Sequence, residues 1–223
     1  MLRLLRRLKV EMNGAVAGAM ERGGIRYGLN YGVSIPTIRD IAGEYGANHS
    51  LALLLFAQDV RELKLAALFI DDPAEVTAGQ MRLWSRDFNN AEIVEQTAMR
   101  LFSKAAPAYD MASEWIMEGD GMLRYAGMLT ASGWIRRAGR SAGIHGEALE
   151  SRVSALMDLA CRSITQTSPD ALVAAGTVAM MRNAAEISPA LKTQVAELAE
   201  EYNSSSDSAL HRIGAELAWL IEN

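Results

Sequence analysis

Glu92 and Glu95 stand three residues apart, a spacing that puts both carboxylates on one face of a helix. Two carboxylates on a shared wall can divide acid and base roles when their surroundings push their pKa values apart. The same pair also serves as half of an inter-helix ion-pair cluster, and such networks also sit in clefts. Arg124 is the cation placed to approach them from a neighbouring helical repeat. Arg136, Arg137 and Arg140 form the densest basic cluster of the chain. They suit phosphate, where each contact adds to a salt-dependent affinity, or equally a solvated helix end, where the dipole favours cations. Trp134 is the one aromatic residue among them, too little for a stacking platform along a single strand.

Other chemistries find no support. His49, His145 and His211 are widely separated, and none pairs with another ligand type at metal-binding spacing, so no metal is expected. Cys161, between Ala160 and Arg162, reads as packing rather than as a nucleophile. Gly-x-Ser-x-Gly, P-loop and dinucleotide glycine patterns are missing, and no cofactor is expected.

The elements that must hold these residues are helices. Val60, Leu63, Ala67 and Ile70 recur at helical period behind Asp59, the expected N-cap; Leu149, Val153, Leu156, Met157 and Ala160 mark another apolar face. Ser34-Ile35-Pro36, Ser168-Pro169-Asp170 and Ser188-Pro189 each read as a serine N-cap with proline in the first turn. Gly43 with Gly46, and Gly119 with Gly121, read as helix ends or turns. Asn203 to Asp207 reads as the cap of a final helix. About eleven or twelve helices with short loops, in pairs of about 40 residues, are the length expected of stacked HEAT-like repeats.

Composition sets outer bounds. The 223 residues are 50% apolar with a formal charge of −5. That acidity argues against a general nucleic-acid coat but leaves room for one basic face. The single cysteine fits a reducing compartment. The longest apolar run, Leu51 to Ala57, is far shorter than the roughly 18 residues a bilayer span needs. Leu2 to Lys9 alternates leucine and arginine at helical spacing, as a first solenoid helix with a solvated basic face would. A cytoplasmic protein without membrane contact is expected.

Asn30-Tyr31-Gly32-Val33-Ser34-Ile35-Pro36-Thr37-Ile38-Arg39-Asp40-Ile41-Ala42 resembles a characteristic segment of the DNA alkylation repair family, HEAT-like-repeat glycosylases that remove alkylated purines. Arg61 to Ala67, Met81 to Trp84, Asp87-Phe88, Met99 to Lys104, Trp115, Arg124 to Gly127, Val173 to Arg182 and Ile213 to Leu220 follow the family in order. The resemblance implies an all-α superhelix of helix pairs with a concave inner face, one domain over residues 1–223, and a DNA partner. It also implies a site in which one aspartate sits between two tryptophans, with an arginine holding phosphate nearby.

Carried residue by residue, the resemblance reveals a changed site. The first tryptophan falls on Ala91, the aspartate on Glu95, the second tryptophan on Ala179 and the basic pair on Arg124-Tyr125, while Arg182 closes the late motif. An aromatic contact to a cationic base is worth roughly 0.5–2 kcal/mol. Losing two removes about 1–4 kcal/mol, on the order of ten- to a thousandfold in rate if both act only in the transition state. Glu95 keeps the charge but reaches one methylene further, and misplacement near 1 Å costs about a hundredfold. The expected function is therefore DNA binding, through Arg124, Arg136, Arg137, Arg140 and Arg182, with lost, weak or altered excision centred on Glu95 and Glu92. The competing reading is a non-catalytic scaffold that binds a protein through the same face.

Overall fold

Helix starts in this chain are made by side chains that accept from orphan amides. Ser34 accepts from the Thr37 amide and Ser188 from the Leu191 amide, each with proline in the first turn, as their sequences require. Two other expected caps are displaced. Asp59 does not cap its helix; Val60 occupies that position, and the Asp59 carboxylate accepts from the Gly28 amide instead. Asp170 rather than Ser168 caps the next case, accepting from the Leu172 and Val173 amides. A carboxylate nearer the first turn outcompetes a hydroxyl two residues back.

The computed structural model describes residues 1–140, 143 and 145–222. Among them are thirteen α-helices and no strand, with one isolated β-bridge between Leu29 and Val60. The chain divides into two compact units, Met1–Ala106 and Pro107–Asn223. The first holds α1 (Leu2–Val10), α2 (Gly14–Arg22), α3 (Ile35–Gly43), α4 (His49–Phe56), α5 (Arg61–Ile70), α6 (Ala78–Trp84) and α7 (Ala91–Arg100). The second holds α8 (Ala108–Ile116), α9 (Gly121–Ala138), α10 (Gly146–Gln166), α11 (Ala171–Ala185), α12 (Pro189–Asn203) and α13 (Ser208–Glu222). None of these helices is long and apolar enough to cross a membrane.

In the first unit α1, α3, α5 and α7 pack in a row, with α4 against α5. The period of α5 suggests one buried face, yet nine of its ten residues are buried, Arg61, Glu62 and Lys64 included. A helix walled on several sides must satisfy its charged groups internally, and this one does. The Lys64 ammonium donates to the Phe56 carbonyl and to Asp87 (both 2.8 Å) and lies 4.7 Å from the Phe56 ring centroid. Phe56 in turn stacks on Trp84 at 3.9 Å. Gly32 has φ +71°, and a Cβ there would stand 2.1 Å from the Asn13 carbonyl oxygen, so the Tyr-Gly-Val segment needs its glycine.

In the second unit α8/α9, α10/α11 and α12/α13 form hairpins, and α9, α11 and α13 line up as one layer. Asp207 caps the last of these helices by accepting from the Ala209 and Leu210 amides, which hold its carboxyl below the usual range. Gly214 lets α12 and α13 touch: a Cβ would meet the Asn203 amide nitrogen at 2.5 Å and the Tyr202 carbonyl carbon at 2.8 Å. Those are backbone atoms and cannot swing aside. Gly214→Ala is expected to cost about 1–3 kcal/mol, read as a lower urea midpoint; an unchanged midpoint would show that this contact is loose.

Candidate nucleic-acid interface

Glu92 begins on α7, whose N-terminus is capped by Asn90 accepting from the Ile93 amide. Its carboxylate is held from two sides. The Arg61 guanidinium donates through Nε to Oε2 and through Nη2 to Oε1, both 2.7 Å, in a two-pronged pair. The Tyr27 hydroxyl donates to Oε2 at 2.9 Å. Arg61, only 3% exposed, spends Nη1 on the Val33 carbonyl (2.8 Å) and on Glu62 (3.0 Å). Glu62, fully buried, also accepts the Tyr31 and Val33 amides at 3.1 and 3.2 Å. The network therefore sews the segment 27–33 onto α5 and α7.

Electrostatics follow the geometry. Burial opposes the charge on Arg61, but the hydrogen bonds and charge of Glu92 outweigh it and hold the guanidinium pKa above its usual value. Burial, and then the negative charge of Glu92, push the Tyr27 phenol far above its ordinary range. The expected cation partner of Glu92 was Arg124; the structure supplies Arg61 instead, from within the same unit. A carboxylate so occupied positions the segment 27–33.

Because the Tyr27 pKa is raised on folding, its contribution is complete below the ordinary phenol value near 10 and is lost as pH rises above it. Tyr27→Phe is expected to lower stability by about 1–3 kcal/mol at neutral pH and to flatten the alkaline limb of the stability profile. Urea melts at pH values either side of 10 check this. A variant as stable as the parent, with the same alkaline limb, would contradict it.

Ala91 and Glu95 lie one helical turn apart on α7, both half-buried. In the second unit Ala179 is half-buried on α11, and its carbonyl accepts from the Ser132 hydroxyl of α9 at 3.1 Å. The Asn183 amide donates to the Ser132 carbonyl and hydroxyl at 3.1 and 2.7 Å. These bonds fix α9 beside α11. Arg136 follows Ser132 by one turn, and Arg182 neighbours Asn183, so both emerge close to this clamp. Arg136, Arg137, Arg140 and Arg182 are all exposed.

Arg124 is different. It is 4% exposed, and its guanidinium donates to the Ser163 hydroxyl (3.0 Å), the Ser163 carbonyl (2.9 Å) and the Thr167 carbonyl (3.0 Å). The Ser163 hydroxyl donates onward to the Ile116 carbonyl. A cation on the last carbonyls of α10 satisfies orphan acceptors and complements the helix dipole. Burial lowers its pKa, with Asp170 opposing. Arg124 thus ties α9 to α10 and is not among the exposed arginines.

Within the helices themselves, the charges of the second unit separate by layer. Helices α9, α11 and α13 carry Arg124, Arg136, Arg137, Arg182 and Arg212 against Glu216 and Glu222; Arg140 follows α9, while Asp120, Asp170, Glu186 and Asp207 stand at the ends of the same helices. Helices α8, α10 and α12 carry eight carboxylates against Arg152, Arg162 and Lys192. The exposed cations Arg136, Arg137, Arg140 and Arg182 thereby gather at the C-terminal ends of α9 and α11, where cations complement the helix dipole. Among the described residues no group of three or more His, Cys, Asp or Glu stands ready to hold a metal.

Paired helices define the fold class, and comparison with known proteins agrees. A solved structure, described as "a new family of proteins related to the HEAT-like repeat DNA glycosylases with affinity for branched DNA structures", superposes with a TM-score of 0.73. It is 17% identical and covers 96% of this chain and 92% of its own. The fold is that of the HEAT-like repeat proteins. The family model described as DNA alkylation repair enzyme matches residues 4–212, and the chain belongs to that family. No curated protein matches it.

Proposed function

We propose that this protein binds DNA through the exposed arginines of its second unit and does not excise alkylated purines. The observation that carries the reading is the grouping of Arg136, Arg137, Arg140 and Arg182, all exposed, on or just past the C-terminal ends of α9 and α11, two helices that themselves bear no carboxylate. Arginine in that setting contacts phosphate and gives affinity without sequence preference. Branched DNA is the favoured ligand, in keeping with the affinity described for the structural relative. A junction brings several phosphate backbones near one surface, which rewards cations spread over two or three helices.

Loss of excision is supported by what stands at the family's site positions. Ala91 and Ala179 offer no aromatic face to a cationic base, and Glu92 is bound by Arg61 and Tyr27. Glu95 retains a carboxylate but has no tryptophan at either family position to trap the base against it.

The test is binding itself. Fluorescence anisotropy of a labelled four-way junction and of a linear duplex of the same composition, over a salt series, should show affinity that falls steeply with salt and favours the junction. Absence of binding at low salt would end the DNA reading and leave the protein-scaffold reading in its place.

A further inference from the structure

Trp219 has no part in the arrangement above. Three of the four tryptophans are buried or half-buried, but Trp219 is 64% exposed on α13. Ile213, Gly214 and Leu217 face inward on that helix, and Trp219 points away from them. Together with Val178 and Arg182 of α11 and Arg212, Ala215, Glu216 and Leu220 of α13, it lines a groove of about 400 Å³. Arg182 and Arg212 bring two guanidinium groups to that groove, and Glu216 a single carboxylate.

We propose that this groove takes an unpaired nucleobase, stacked on the Trp219 indole, with the adjoining phosphate on Arg182 and Arg212. The inference rests on the DNA-binding reading and adds to it a single-stranded element. Four features argue for this occupant. An exposed indole that shares a groove with two arginines suits a flat, polarisable ring with an anion attached. A groove of a few hundred cubic ångströms is of the size that small planar ligands fill. Its charge complements a nucleotide: two cations for the phosphate and one acceptor, Glu216, for an amino group on the base edge. Glu216 thereby favours cytosine, adenine or guanine, each with an exocyclic amino group, over thymine, which has none. Branched and tailed DNA supply unpaired bases that a continuous duplex does not.

The site differs from the family's aromatic pair, whose late member falls on Ala179 of α11. Here the indole rises from the next helix of the same layer. A base held there is bound for recognition, with Glu216 the one carboxylate among the residues that line the groove.

The experiment compares a short blunt duplex with the same duplex carrying an unpaired cytosine tail, using the full chain and its Trp219→Ala and Trp219→Phe variants. The parent is expected to bind the tailed duplex more tightly and to lose tryptophan fluorescence on doing so. Trp219→Ala should lose roughly five- to a hundredfold in affinity for the tailed duplex, keep its affinity for the blunt one, and show little quenching. Trp219→Phe should retain most of the preference. Arg182→Ala with Arg212→Ala should reduce the salt slope on the tailed duplex more than on the blunt one. Equal binding of both DNAs by the parent, or a tail preference untouched in Trp219→Ala, would overturn the base site while leaving DNA binding intact. A Trp219→Ala chain that changes its sedimentation from dimer to monomer would assign the groove to a second copy and also overturn it. Failure of every variant and of the parent to bind either DNA would strike the underlying DNA reading itself.

Discussion

Arg61→Ala should destabilise the first unit by about 3–5 kcal/mol, the cost of stripping the cation from a buried ion pair. The substitution leaves Glu62 with two backbone amides and Glu92 with only the Tyr27 hydroxyl, both carboxylates out of bulk water. A domain's whole stability is about 5–15 kcal/mol, so the urea midpoint should fall by a large fraction of its value. Arg61→Lys should recover little. One ammonium cannot present the three directed N–H groups that reach both Glu92 oxygens and the Val33 carbonyl together. The segment 27–33 should also become open to protease, because its amides and carbonyl are pinned by the same residues. A double-mutant cycle with Glu92→Ala would isolate the pair, and a coupling near zero would mean that the network is incidental to stability.

The combined variant Arg136→Ala, Arg137→Ala, Arg140→Ala should lose DNA affinity in a salt-dependent way. Each arginine that reaches a phosphate releases a counterion, worth about 0.9 in the slope of log affinity against log salt, so three together remove up to about 2.7. All three are exposed, so folding stability should stay within about 0.5 kcal/mol of the parent. The result thereby separates binding from folding. Arg124→Ala should behave oppositely, weakening the α9–α10 contact through Ser163 and Thr167 before it alters the salt slope. A triple variant with the parent's slope would move the DNA contact elsewhere on the chain.

Much of the fold is legible in the residues. Ser34 and Ser188 announce their helices because an N-cap is a local interaction between neighbours in sequence. Asp207 likewise marks the start of the last helix. Asp59 misleads because its partner, the Gly28 amide, comes within reach only on folding, and Ser168 misleads because Asp170, two residues on, holds the cap position while Ser168 bonds to Asp207. The uniform burial of α5 is a tertiary fact, set by how many helices surround it.

The candidate site is less legible. Glu92 and Glu95 do share a face of α7, as their spacing requires, but the cation that claims Glu92 comes from 31 residues upstream. Arg61 and Arg124 look equally available in the sequence, and both are buried; their partners separate them, Glu92 for Arg61 and Ser163 with the Thr167 carbonyl for Arg124. The gathering of Arg182 with Arg136, Arg137 and Arg140 is invisible until it is known which helices line up, since the overall count is acidic. Trp219 had a usable signal: Ile213, Gly214 and Leu217 define an inward face, and position 219 falls opposite to it.

The central claim is that DNA is held here without alkylpurine cleavage, and release of methylated bases tests it most directly. Duplex and branched DNA treated with a methylating agent should be incubated with saturating protein, at low salt where binding has been verified, and the freed 3- and 7-methylpurines measured against a protein-free control and against Glu95→Gln. The account predicts release at the spontaneous rate for parent and variant alike. Release by the parent above that background, abolished in Glu95→Gln, would contradict it and establish Glu95 as a working catalytic carboxylate.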